Sequence, residues 1–398
     1  MTAIRRKGST STSATPTPPS LSRRTWTSGG SPVADARTAV KRKLRSFAVL
    51  LVDGLNVMLR QFWAYPDLRS PSGIPTGAIF GVVNRIREAV DRFAPSRVIV
   101  CWDGGRSAWR RAVFAWYKDR PRSESRADLS ECFAQREPLR ELLEQMGCDQ
   151  VEVEGVEADD LIAWFAQGGW LPSDPIVKKT PIQGLFYVRH GRGVCNVDHG
   201  DFVILSSDRD FYQLVDAHTS VYLGVSAGKG RAVEHVTLET FHEATMSAKL
   251  PNGVADPGEW AAYRVVNGDA TDNIPSVRGL GGEKRWPSVY GTLLAMGYAG
   301  NTQDCFLGRD EVGVAGSFGA AVVESWNLLE RNTILMDLNF AVGMLEQKKI
   351  DPAKALVVGR WDERAFEIAC SRYAFWSALQ DWGAWRGTFR GLAERRNG

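Results

Sequence analysis

Val49-Leu50-Leu51-Val52-Asp53 is a short apolar run that ends on a carboxylate, and the chain repeats the arrangement twice. Val98-Ile99-Val100-Cys101-Trp102-Asp103 is the second instance. Phe202-Val203-Ile204-Leu205-Ser206-Ser207-Asp208-Arg209-Asp210 is the third. Runs this short, β-branched or Leu-rich, predict buried parallel strands, whose two faces are both covered. An open α/β sheet places its ligand crevice outside the carboxyl ends of its strands, which is where each Asp falls. Glu157-Ala158-Asp159-Asp160 lies between the second and third runs and leads into an apolar helical face of Leu161, Ile162 and Phe165. Gly268-Asp269-Ala270-Thr271-Asp272-Asn273 follows later.

If these segments converge, nine carboxylates surround one crevice: Asp53, Asp103, Glu157, Asp159, Asp160, Asp208, Asp210, Asp269 and Asp272. Like charges that close repel strongly at low dielectric. A pair of divalent cations is the simplest compensation. Hard oxygen ligands with no Cys or His among them suit Mg²⁺ or Mn²⁺ better than zinc. The pattern therefore predicts a two-metal phosphodiesterase site.

A length of 398 residues supports two or three domains with a real core. Residues 1–45 carry ten Lys or Arg against Asp35 alone, so the formal charge of +3 conceals a net acidic body. The six cysteines are scattered without C-x-x-C spacing, which argues against a structural zinc site and a disulfide scaffold and predicts a reducing cytoplasm. No apolar run approaches the length of a membrane span.

Residues 1–45, rich in Ser, Thr, Pro and Arg, are read as a disordered basic tail in preference to an organellar transit peptide. A first domain is expected over 46–238, with Thr76 capping a helix that buries Ile79, Val82, Val83, Ile86, Val90 and Phe93. That helix is the crossover between the strands ending in Asp53 and Asp103. A second helix is expected over about 132–146, burying Phe133, Leu139, Leu142, Leu143 and Met146, then a strand over Gln150–Glu154. Residues 168–200, with three prolines and six glycines, read as an inserted loop or hairpin; His190, Cys195, Asp198 and His199 within it match no zinc motif. From about 240 onwards the chain reads as helical, with Trp286, Leu293, Leu294, Leu328, Leu329, Leu335 and Leu338 as core.

The five carboxylate-bearing segments, in this order and rough spacing, resemble the 5′-nuclease family: bacteriophage 5′→3′ exonucleases, the nuclease domain of bacterial DNA polymerase I and flap endonucleases. Pro71-Ser72-Gly73-Ile74-Pro75-Thr76-Gly77-Ala78 and Leu328–Leu338 resemble further family segments. The resemblance implies a PIN-like α/β domain, with a central mostly parallel sheet flanked by helices, and a helical helix–three-turn–helix domain over 239–345. A C-terminal helical extension would cover 346–398. With no polymerase-sized segment following, a stand-alone phage-type enzyme is expected. By the same resemblance Asp103, Glu157, Asp159 and Asp160 would hold one cation, with Asp53 close by acting through water. Asp208 would lie between two ions, and Asp210, Asp269 and Asp272 would serve the second.

The stretch from about 104 to 130 interleaves Arg106, Arg110, Arg111, Lys118, Arg120, Arg122 and Arg126 with Trp109, Phe114, Trp116 and Tyr117. Cations neutralise phosphates and aromatic rings stack on unpaired bases, so the mixture suits a single-stranded end. It resembles the family's helical arch, and Tyr117-Lys118-Asp119-Arg120 resembles its tyrosine–lysine–x–x–arginine stretch, one residue shorter. Lys118 and Arg120 are thus the expected contacts to the reacting phosphate, beside Asp53 and Asp208, with Tyr117 and Arg122 as further DNA contacts. Ile274–Arg285 resembles the helix–three-turn–helix loop, whose glycines present backbone to a duplex phosphate, often with K⁺. Gly279, Gly281, Gly282, Lys284 and Arg285 are its expected DNA contacts, and an extra glycine and Trp286-Pro287 depart from the pattern.

The expected function is metal-dependent 5′→3′ exonuclease or 5′-flap endonuclease action in replication or repair. Partners would be flaps, nicked or duplex DNA ends and RNA–DNA hybrids, acted on by a monomer. Two readings compete with it: a ribonuclease of the PIN-like fold, and a non-catalytic DNA-binding relative. The second Asp pair and the duplex-binding loop favour the first reading over the former. The nine filled positions favour it over the latter.

Overall fold

The three Asp-terminated runs are neighbouring strands. In a computed structural model of the chain, the described residues are 49–119, 129–167, 202–224, 233–246, 250, 253–307 and 313–397. The basic tail, the 168–200 insertion and Arg120, Arg122 and Arg126 lie outside them. Strands β1 (Val49–Asp53), β2 (Arg97–Trp102), β3 (Asp149–Glu152), β4 (Phe202–Leu205), β5 (Thr219–Tyr222) and β6 (His235–Val236) form one sheet in the order β3-β2-β1-β4-β5-β6. All pairings are parallel except β5 with β6. The chain therefore builds outward from β1 to β3 and then returns to the other side of β1. The strand order reverses between β1 and β4, the switch point where such sheets open a crevice. Register brings the strand ends level, with Asp53 opposite Cys101 and Val52 opposite Leu205.

Alternation along β1 sorts the core into two layers. Val49 and Leu51 face a cluster that includes Leu161, Ile162 and Phe165 of α6 (Ala158–Ala166) and continues into the helices after 240. Leu50 and Val52 face α1 (Gly54–Ala64), α2 (Gly77–Phe93) and α5 (Arg136–Gln145). The expected strand at Gln150–Glu154 is Asp149–Glu152, and the crossover helix buries Ile79, Val82, Val83, Ile86 and Val90 as expected, with Phe93 only half-buried.

Local details correct three expectations. Thr76 makes no side-chain cap at α2; the Gln135 side-chain oxygen accepts from the amides of Ala78 and Ile79 instead, at 2.9 and 3.3 Å. The helix expected over 132–146 is two pieces, α4 (Ser130–Phe133) and α5, and Phe133 is exposed. Leu294 and Leu328 are also exposed, while Trp286, Leu293, Leu329, Leu335 and Leu338 are core. Pro287 sits in the first turn of α9 (Trp286–Ala295), where no intrahelical N–H is needed.

The helices after 350 return to the sheet. Phe366 of α14 (Glu363–Arg372) and Trp385, Phe389 and Leu392 of α16 (Trp382–Asn397) join the layer under Leu50 and Val52. Gln150 and Val357 exchange backbone hydrogen bonds, which covers the outer edge of β3.

Candidate active site

Asp53 ends β1 and accepts from the Asn56 amide at 3.2 Å, so it caps α1; its other oxygen accepts from the Ser206 hydroxyl at 2.9 Å. That serine follows β4 directly, which ties the two strand ends together across the switch point. Gly54 has no side chain because the Trp102 ring lies there: a Cβ would come within 2.7 Å of it. Asp103 continues from β2 and accepts from the Ala158 amide at 3.1 Å, which sets α6 and its carboxylates against the crevice. Asp208 accepts from the Asp210 amide at 2.9 Å, in the turn that opens the short 3₁₀ segment Asp210–Leu214. Asp269 and Asp272 sit on a loop closed by the reciprocal backbone pair of Asp269 with Ile274. Gly268 enters that loop at φ 65°, where a side chain would strain the backbone.

Electrostatics shows how these groups feel one another. Burial first, then the charges of Asp103 and Asp208, push Asp53 up to about 7. Burial, and then Asp53, hold Asp159 well above the ordinary carboxylate range. Burial raises Asp103 against the pull of the Ala158 amide. Burial also raises Asp210 to about 7, although Arg264 opposes it. Asp53, Asp103, Asp159 and Asp208 are thus one interacting group of like charges.

Three cations stand among the carboxylates, and two were not expected there. Arg110, from α3 (Ala108–Val113), is buried with both outer nitrogens on Asp160, at 2.9 and 2.6 Å. It also donates to Glu157 and to the Leu335 carbonyl. Arg264 lies 2.6 Å from both Asp210 and Asp269. Lys118 Nζ lies 3.0 Å from Glu157 and 3.8 Å from Asp272. Glu157 therefore accepts from Arg110, Lys118 and the Tyr117 hydroxyl on one oxygen. Burial alone would raise it, but those partners hold it below its ordinary pKa. Asp269 is likewise drawn down, by Thr271 and Arg264, against its burial.

These placements revise the site. Asp160 is fully buried and turned onto Arg110, so as placed it holds the helix α3 rather than facing the crevice. Arg110 is correspondingly not part of an exposed basic surface. Tyr117 is 3% exposed, its ring packed with Ile274, Leu335 and Met336, and it offers no face to a base; Trp116, 65% exposed, does. In the 276–285 loop the amides of Gly281 and Gly282 are taken by the Val277 carbonyl and the Asn267 side chain, at 2.9 and 2.8 Å. Lys284 and Arg285 are exposed beside them. Arg264, five residues before Asp269 on the last turn of α8 (Pro257–Asn267), is the site residue that sequence reading missed. Its helix position relative to Gly268-Asp269 was the available signal.

Among the described residues, no three Asp, Glu, His or Cys side chains stand as a group that could hold a metal ion as placed. The donor set nevertheless fits a hard divalent cation by chemistry and by charge. Its oxygens are carboxylates at a crevice mouth, and burial, with neighbouring carboxylates adding to it, raises Asp53 and Asp210 to about 7.

The family described as "5′-3′ exonuclease, N-terminal resolvase-like domain" matches residues 48–170. That segment holds β1, β2, β3 and α6, and with them Asp53, Asp103, Glu157, Asp159 and Asp160. The chain is 29% identical over 237 residues to a 5′-3′ exonuclease of Bacillus subtilis, covering 58% of this chain and 66% of that protein. It is 29% identical over 238 residues to DNA polymerase I of Streptococcus pneumoniae, covering 58% of this chain and 22% of the polymerase. The 5′-nuclease match thus spans just under two thirds of the former and less than a quarter of the latter. The fold is similar to that of the T5 D15 protein co-crystallised with metal ions, with TM-score 0.51 and 18% identity, covering 88% of this chain and 99% of that one. The expected PIN-like fold is therefore the observed one.

Proposed function

We propose that the chain is a 5′-nuclease that hydrolyses phosphodiester bonds near the 5′ end of duplex or flapped DNA, using two divalent cations, Mg²⁺ or Mn²⁺. The observation that carries the reading is the convergence of Asp53, Asp103, Asp159 and Asp208 at the switch point of the sheet, where burial first and the neighbouring carboxylates after it raise the pKa of Asp53 and Asp159. A structural role for these groups would not require that cost, since a neutral Ser or Asn oxygen would cap the same turns. Bound divalent cations would supply activation of the attacking water and stabilisation of the leaving oxygen.

The chain's own residues do the rest. Asp53, Asp103, Asp159 and Asp208 would share the ion side of the crevice, and Asp210, Asp269 and Asp272 the far side, with Arg264 between Asp210 and Asp269. Asp160 supports this indirectly through Arg110. Lys118, at the rim between Glu157 and Asp272, presents an ammonium to the reacting phosphate. Trp116 offers an exposed ring beside it for an unpaired base. Lys284 and Arg285, with the loop backbone around Gly279, would take the duplex phosphates and read no sequence. A K⁺ ion at that loop, RNA–DNA hybrids as substrates, and action as a cytoplasmic monomer belong to the same reading.

A 5′-flap duplex labelled at either end, incubated with Mg²⁺ or with EDTA, tests it. The reading expects 5′-end products in Mg²⁺ and none in EDTA. Cleavage that persists in EDTA, or cleavage of structured RNA with flap DNA left intact, would overturn it.

A further inference from the structure

Lys118 does not reach the crevice on a helix; it is carried on a turn with left-handed backbone, φ 51°. The turn is held from outside. Asn273, itself left-handed at φ 62°, donates from Nδ2 to the Trp116 carbonyl at 3.0 Å and to the Asp119 carbonyl. The Lys118 amide donates to the Asp272 carbonyl at 3.0 Å. Tyr117, between them, packs on Ile274, the residue after Asn273. Residues 116–119 and 272–274 are thus locked together by three hydrogen bonds and one buried ring.

We propose that Asn273 is a positioning residue for Lys118: its amide latches the Trp116–Asp119 turn onto the Asp269–Asn273 loop and so fixes the ammonium between Glu157 and Asp272. The chemistry of the position supports this. The site needs a short side chain that tolerates left-handed backbone and offers two N–H donors, and asparagine meets both demands. Aspartate would keep the backbone but present no donor to the two carbonyls. The latch also makes the lysine and the second carboxylate pair one unit, so a substrate phosphate gripped by Lys118 is registered against Asp269 and Asp272. The inference rests on the 5′-nuclease reading for its consequence in catalysis, though not for the latch itself.

The test uses the full chain with Asn273→Gly, which keeps the left-handed backbone and removes both donors, Asn273→Asp as a second donorless variant, Lys118→Ala, and the Gly/Ala double variant. Hydrogen exchange should show the Lys118 and Asp119 amides protected in the wild type and at least about tenfold faster in both Asn273 variants, with β1 amides unchanged. Single-turnover cleavage of a 5′ flap should fall about 10- to 100-fold in Asn273→Gly, with duplex affinity retained. The double variant should be no slower than Lys118→Ala alone, because both changes act through one ammonium. Wild-type protection at residues 118 and 119 in either folded Asn273 variant, or losses that multiply in the double variant, would overturn the latch. If the wild type cleaves no 5′-ended DNA, the nuclease reading fails, and the exchange result still decides the latch.

Discussion

Lys118 is held at the crevice mouth by opposite charge: burial works against its ammonium, and Glu157, first among its neighbours, restores it and keeps its pKa above the ordinary range. It is therefore a permanent cation at neutral pH, placed where negative charge would develop. Lys118→Ala should cost about 2–4 kcal/mol of transition-state stabilisation on 5′ flaps while leaving affinity for plain duplex nearly unchanged. A uniform loss of affinity on all DNA, with the salt slope reduced by about one, would reduce the lysine to a surface charge. Asp53 and Asp210 make a second prediction at this scale. Their folded pKa values are raised from 3.8 to about 7, so protonation favours the folded state. That contribution is fully present below about pH 4 and is lost as pH rises through about 7. In EDTA the melting temperature should carry this loss between pH 5 and pH 8. Mg²⁺ or Mn²⁺ should raise it more at pH 8 than at pH 5. An equal gain at both values would place the ion elsewhere.

The pairing of α3 with α6 shows what an element can and cannot reveal in advance. The strand ends were legible because a carboxylate that closes an apolar run is tolerated at the mouth of a sheet's crevice and in few places besides. Basic and aromatic residues interleave around Arg110 and Tyr117, a mixture that suits a single-stranded end, but composition alone cannot separate a surface from a buried pair. What buries them is Asp160 on one side and Leu335 and Met336 on the other, partners distant in sequence that only the folded chain supplies. For the same reason Thr76 resembled a cap, whereas the donors of α2 are met by Gln135 from the next helix pair. The buried pair makes its own prediction. Arg110→Met leaves Asp160 buried without its guanidinium and should cost about 3–5 kcal/mol in denaturant unfolding. Adding Asp160→Leu should restore most of that loss. If the double variant is as unstable as the single one, packing rather than charge is what Arg110 contributes.

Across the whole molecule, the helices after 350 pack into the core layer beneath β1. Arg396 of α16 donates to both oxygens of Asp149, at 2.9 and 3.1 Å, and Arg97 lies 2.9 Å from the same buried carboxylate. Asp149 begins β3, so the far end of the chain clamps the edge of the sheet whose centre carries the site. Arg396→Ala should lower stability by about 1–3 kcal/mol, with cleavage unaltered below the new melting temperature. A selective loss of activity without loss of stability would show that the clamp reaches the crevice. The central claim is that the carboxylates at the switch point are the phosphodiesterase site, and Asp208→Ala tests it most directly. Cleavage of a labelled 5′ flap in Mg²⁺ should be abolished, while DNA binding is retained or tightened because a negative charge near phosphate has gone. Cleavage within a few-fold of wild type would contradict the account.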